Sequence, residues 1–347
     1  MDHFSDRLAA SIIARRSLVC VGLDPVLERM PPDLVDEFRP RAARAETRGT
    51  KGSEGAGGTT RGAKGSEGAG GTTAEEKAVA AGGADERAVE EEAVAACFAA
   101  FCAGVIAAVA ETAACVKPQA AFFEQYGAAG WRALVDTVAC AHAYDLPVIL
   151  DVKRGDIAAT GAAYRRAAFG GAPGFAAPVA GVGADALTVN PYLGDDSLAP
   201  FIDACGDGRG VFVLVRTSNP GAATLQELEV EGRPLYLHVA ETVARLGAAQ
   251  VGAHGYCDVG AVVGATAPSA LRAVRAALPH AFLLVPGVGA QGGATEILGE
   301  LKVGDAGGLV VNASRSIIYA WQQGEGDYRR AAAEAAEALR RELGSPA

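Results

Sequence analysis

PVILDVKRGDIAATGAAYRRAAFG, residues 147–170, contains one full unit of the pattern that decides the fold. Its first part, 147–153, is a short apolar run rich in branched side chains, which reads as a strand buried on both faces. The alanine-rich stretch 158–169 that follows a turn reads as a helix. Seven more runs of the first kind flank it: LVCVGLD (18–24), ACVKP (114–118), DALTVNP (185–191), VFVLVRT (211–217), DVGAVVGA (258–265), AFLLVPG (281–287) and GLVVNAS (308–314). Helical candidates lie between and after them, at 92–112, 128–143, 195–204, 234–249, 268–278, 293–300 and 327–343. Continuous apolar strands alternating with helices imply an α/β fold with a parallel sheet covered on its outside. Eight such units predict a (β/α)8 TIM barrel, with an open doubly wound sheet as the competing arrangement. We expect one barrel domain over 1–347, interrupted by an insertion at about 41–90.

The insertion is read from composition. Between Arg41 and Glu92 there is no aromatic residue, and Val79 and Val89 are the only Val, Leu, Ile, Met or Cys. KGSEGAGGTT stands at 51–60 and again at 64–73. Such a segment buries too little apolar surface to offset its ordering entropy, so it is expected to be disordered, between strands one and two. Because it falls on the stretch leading to helix 92–112, we expect it to leave the barrel mouth open. Residues 93–110 carry no charge and approach the length of a membrane span. Their larger side chains, Val94, Phe98, Phe101, Val105 and Val109, form one helical stripe, and Glu90, Glu91 and Glu92 suit a helix N-terminus. The reading is a buried amphipathic helix and no membrane segment.

Lys plus Arg total 31 and Asp plus Glu 41, a net charge of −10. General nucleic-acid or anionic-membrane binding needs clustered positive charge and is excluded as an expectation; a small anionic ligand needs only a few local donors. Cys20, Cys97, Cys102, Cys115, Cys140, Cys205 and Cys257 are scattered, with no Cys-x-x-Cys pair, and read as free thiols in a reducing compartment. The five histidines show no metal-ligand spacing. MDHFSDRLAASIIARRS carries early acids and reads as an amphipathic helix, not a signal peptide, so a cytoplasmic protein is expected.

In a (β/α)8 barrel the active site forms at the C-terminal strand ends. Here those ends carry Asp24, Lys117, Asp151 with Lys153, Thr217-Ser218-Asn219, the GVGAQGG stretch from Gly287, and Asn312-Ala313-Ser314-Arg315. Strand alternation places Asp151 and Lys153 on one face; Asp156 follows in the turn, and Thr160 lies a helical turn further on. An ammonium among carboxylates stays protonated, so it can donate a proton and be re-protonated. Crowded carboxylates repel a substrate anion and favour its loss. An ion-pair network bracing the barrel would use the same residues without chemistry. GVGAQG (287–292) is formally a G-x-G-x-x-G, but only one strand follows it. It therefore reads as a phosphate cradle and not as a dinucleotide fold.

DVKRGDIAAT (151–160) resembles the Asp-x-Lys-x-x-Asp-Ile-x-x-Thr signature of the orotidine 5′-phosphate decarboxylases, and its Arg-Gly is similar to their longer-chain subgroup. VGLDP (21–25), VKPQAAFFEQYG (116–127), VNPYLGDD (189–196), VRTSNPGA (215–222), PGVGAQGG (286–293) and NASRSIIYA (312–320) resemble that subgroup in the same order. The strand-three signature also occurs in magnesium-dependent sugar-phosphate decarboxylases and aldolases, so the other segments decide. The resemblance implies decarboxylation of orotidine 5′-monophosphate to uridine 5′-monophosphate and CO2 in de novo pyrimidine synthesis, with no cofactor and no metal. It implies that Asp24 and Lys117 hold the ribose hydroxyls, with Lys117 also joining the charge array. Asp151 would lie beside the substrate carboxylate, and Lys153 would protonate C6. Asp156 and Thr160 would reach the neighbouring subunit's site, which makes a homodimer part of the mechanism. Ser218 would hydrogen-bond the pyrimidine, and Gln291 and Arg315 would bind the phosphate.

Two other functions stay in view on the residues alone. A metal-dependent sugar-phosphate lyase would bind a divalent ion at strand-end carboxylates and lose activity in EDTA. A non-catalytic nucleotide-binding protein has no need to confine Asp24, Lys117, Asp151, Lys153 and Asp156 together.

Overall fold

The computed structural model describes residues 2–40, 74–287, 295–324 and 326–346. The repeat at 51–73 and Gln291 lie outside the described residues. Eight strands form the barrel: β1 Val19–Leu23, β2 Cys115–Pro118, β3 Ile149–Arg154, β4 Ala186–Val189, β5 Gly210–Arg216, β6 Cys257–Val263, β7 Ala281–Pro286 and β8 Leu309–Ala313. Each falls on one of the eight expected runs. They are hydrogen-bonded in the order β2-β1-β8-β7-β6-β5-β4-β3, all parallel. Parallel bridges Val116↔Val148 and Gln119↔Asp151 join the two outer strands, and Val116 N donates to Pro147 O at 3.0 Å. The sheet closes on itself, which removes the open-sheet alternative.

β1, β2, β4, β6 and β8 are buried along their whole length. That follows from inward side chains filling the barrel and outward ones meeting the helices. The covering helices include Ala74–Val109, Gly127–Ala143, Ala158–Phe169, Asp195–Ile202, Leu235–Gly247, Pro268–Ala277 and Tyr328–Leu343. Helix Phe4–Arg15 lies across the N-terminal end of the barrel. Phe4 meets Phe212 of β5 edge to face at 6.1 Å, and Ser5 N donates to Oδ1 of buried Asp258 at 2.8 Å.

One expectation about the insertion needs correction. Helix Ala74–Val109 begins well inside the stretch expected to be disordered up to Glu90. The composition test asked only whether the segment could build a core. AEEKAVAAGGADERAVEEE is poor in core residues, but apart from Gly82-Gly83 it is rich in strong helix formers. Further along, the stripe Val94, Phe98, Phe101, Val105 and Val109 is buried, as expected. Residues 41–73, on which the open-mouth expectation rests, lie outside the described residues.

Candidate active site

Asp24, Lys117, Asp151, Lys153, Ser218 and Asn312 line one cleft of ≈510 Å³ at the C-terminal strand ends, with an apolar wall of Leu214, Val262, Leu284 and Pro286. That size and mixture suit a small organic ligand. At its floor the Asp151 carboxylate is the hub. Lys117 Nζ lies 2.9 Å from Oδ2 and Lys153 Nζ 2.6 Å from Oδ1. Gln119 Nε2 donates to Oδ2 at 3.0 Å, and the Thr188 hydroxyl donates to Oδ1 at 2.9 Å. Four donors therefore saturate the carboxylate.

The exposures separate the two lysines. Lys117 is 6 % exposed and Asp151 10 %, whereas Lys153 is 46 % exposed and reaches into the cleft. Burial alone works against charge on both members of the inner pair. It is overcome at Lys117 by the Asp151 and Asp24 carboxylates, which hold the ammonium well above its ordinary range. It is overcome at Asp151 by Lys117 and Lys153, which hold the carboxyl well below its ordinary range. The site is thus an array of fixed charges already in place before any ligand arrives.

Asp24 follows β1 and is held through its backbone. Tyr319 accepts from Val26 N at 2.8 Å and donates to Asp24 O at 2.9 Å. The Asp24 side chain lines the cleft, and its Oδ1 is buried with no hydrogen-bond partner among the described residues. An unpaired buried acceptor in a cleft calls for a donor from a ligand. Gly22 permits the close approach next to it: a Cβ there would fall 1.9 Å from Ser314 Oγ.

Asp151 and Lys153 meet, but not through simple alternation. Lys153 has φ +46°, and the pairing of β3 with β4 shifts between Leu150 and Arg154. A bulge, not a regular strand, aims the ammonium. Asp156 and Thr160 lie outside the cleft lining; Asp156 Oδ1 accepts from its neighbour Ile157 N at 2.8 Å, and Thr160 is exposed on helix Ala158–Phe169. Arg315 is exposed just after β8, with no ion-pair partner among the described residues. Gly287, φ +93°, leaves β7 toward the loop that contains Gln291, which is outside the described residues.

Sequence reasoning missed Gln119, Thr188 and Gln226, all on the cleft wall. Gln119 stands two residues after Lys117, so alternation could have found it. Thr188 is the one polar residue inside the apolar run ALTV. Gln226 gave no signal: it arrives from the loop after β5, where its Oε1 accepts from Thr217 N at 2.8 Å.

Residues 96–331 match the model of the orotidine 5′-phosphate decarboxylase / HUMPS family. An orotidine 5′-phosphate decarboxylase of Rhodopirellula baltica is 41 % identical over 327 residues, spanning 94 % of this chain and 91 % of that one. One from Halobacterium salinarum is 39 % identical over 342 residues, spanning 98 % of each. Among solved structures, the OMP decarboxylase of Leishmania donovani superposes with a TM-score of 0.64 at 31 % identity, covering 98 % of this chain and 97 % of that one. Barrel, charge array and these likenesses agree: the chain belongs to the orotidine 5′-phosphate decarboxylase / HUMPS family.

Proposed function

We propose that the protein decarboxylates orotidine 5′-monophosphate to uridine 5′-monophosphate, releasing CO2, in pyrimidine nucleotide synthesis. The observation that carries this reading is the Lys117–Asp151–Lys153 array beside Asp24, whose Oδ1 has no hydrogen-bond partner among the described residues, in a chain similar over most of its length to enzymes of that name. Breaking the bond between C6 and the carboxylate leaves an electron pair on C6 with no adjacent electron sink. The protein meets this with charges fixed in advance. Asp151 stands beside the substrate carboxylate and disfavours its negative charge. As CO2 leaves, Lys153, the lysine that opens to the cleft, delivers its proton to C6. Asp24 and Lys117 take the ribose hydroxyls, Ser218 the pyrimidine, and Gln291 and Arg315 the phosphate. Remote binding of phosphate and ribose supplies energy for the reacting centre.

The reading includes a homodimer in which Asp156 and Thr160 complete the partner's site. In its support, both lie at the rim and not in their own cleft, and Ile157, Tyr192 and Leu193 nearby are exposed apolar side chains on the β3 and β4 connections. The deciding experiment follows the ultraviolet absorbance of orotidine 5′-monophosphate with purified protein, with and without EDTA. Conversion to uridine 5′-monophosphate at the same rate in both is the expected result. No conversion refutes the activity, and a rate abolished by EDTA refutes the metal-free mechanism.

A further inference from the structure

Along β3 and β4, Leu150 pairs with Leu187 and Arg154 with Val189, so Asp151, Val152 and Lys153 together face Thr188. A bulge of this size takes backbone N–H groups off the regular ladder, and buried ones need another acceptor. Thr188 is that acceptor. Its Oγ1 accepts from Val152 N at 3.1 Å and from Lys153 N at 2.9 Å, while its O–H donates to Asp151 Oδ1. A hydroxyl offers one donor and two acceptor sites. Thr188, 1 % exposed, has all three committed to residues 151–153. The same three residues include the hub carboxylate and a lysine in the left-handed region of backbone space, where a side chain is held only if its surroundings insist on it.

We propose that Thr188 is a positioning residue for the decarboxylation proposed above: its hydroxyl holds the β3 bulge and so fixes the Lys153 ammonium and the Asp151 carboxylate in one working geometry. The inference rests on that functional reading. Valine at 188 keeps the volume and branching but leaves the N–H groups of Val152 and Lys153 without an acceptor and removes one donor from Asp151. The bulge then relaxes and the ammonium loses its aim. The groups proposed to hold ribose and phosphate sit on other strands, and Lys117 alone among them touches Asp151, so ground-state binding changes little.

The test compares wild type, Thr188→Val and Thr188→Ser by steady-state kinetics, with circular dichroism to confirm folding. A misplacement of about 1 Å costs on the order of 100-fold in rate, so kcat of T188V is expected to fall by that order. KM should stay within about threefold, since only a transition-state interaction is lost. T188S keeps the hydroxyl and should recover most of kcat. A T188V kcat within about threefold of wild type overturns the proposal, as does a loss carried by KM alone or a serine variant no better than valine. If T188V does not fold, Thr188→Ala set against T188S makes the same comparison, and an alanine variant with wild-type kcat overturns it. A wild-type protein without activity on orotidine 5′-monophosphate sinks the functional reading and this inference with it; an active wild type with an unimpaired T188V sinks the inference alone.

Discussion

Asparagine at position 151 would keep the shape of the hub and remove its charge. Asp151 and Lys117 are 10 % and 6 % exposed and 2.9 Å apart. Deleting one member of such a pair costs about 3–5 kcal/mol, because the other is left buried and uncompensated. Two features place this site at the lower end. Asp24 still faces the Lys117 ammonium. Lys153 is half exposed, so water screens the loss of its partner to about 1 kcal/mol or less. We therefore expect Asp151→Asn to lose about 3 kcal/mol at pH 7, read from urea denaturation of the two proteins side by side. The pH dependence carries a sign. Burial would raise the Asp151 carboxyl, but Lys117 and Lys153 hold it well below its ordinary 3.8. A depressed carboxyl contributes stability above the unfolded value and loses it as pH falls through the folded one. The gap between wild type and D151N should be full at neutral pH and narrow on acidification below about pH 4. A gap under about 1 kcal/mol at pH 7, the worth of an exposed pair, would refute the reasoning, and so would one that widens toward acid.

Lys153→Ala should fold and lose more than nine-tenths of its turnover; retention of more than about a tenth, a barrier change of ~1.4 kcal/mol or less, would remove Lys153 as the proton donor. Inactive Asp156→Asn and inactive K153A, mixed under conditions that exchange subunits, should regain about a quarter of wild-type activity, since half the dimers are mixed and each holds one intact site of two. No regain, with mixed dimers confirmed by native mass spectrometry, would assign Asp156 to its own subunit. Replacing residues 44–70, which contain no aromatic and no Val, Leu, Ile, Met or Cys, with a short Gly/Ser linker should change stability by about 1 kcal/mol or less, since loop closure depends weakly on length. An unfolded or inactive product would show that the segment packs or acts.

The parts of the site that could be read from sequence are those whose chemistry is local. Lys117, Asp151 and Lys153 announce themselves because they are charges ending apolar runs, and barrel geometry dictates which end of a strand is chemical. The bulge at Lys153 could not be read the same way. It arises from how β3 pairs with β4, a relation between residues 36 positions apart in the chain when Val152 meets Thr188. Gln226 escaped for the same reason, since its place on the wall depends on how the loop after β5 folds back on Thr217. The start of the helix at Ala74 escaped differently: lack of core residues argues against burial, not against helix.

Helix Phe4–Arg15 has a consequence for how the chain is made. Its Ser5 amide is anchored on Asp258, 253 residues later. At about 5–20 residues per second of synthesis, Asp258 is polymerised about 13–50 s after Ser5. Throughout that interval the apolar face of Phe4, Leu8 and Ile12, buried in the finished barrel, has only part of its seat: Ala114, which accepts from Ser11, and Phe212, which meets Phe4, come earlier, but the start of β6 does not. The earliest of these helices to leave the ribosome is therefore among the last to dock. Until β6 is made, the Phe4 end of the helix is a half-covered apolar segment on a nascent chain, the kind of surface that holding chaperones bind.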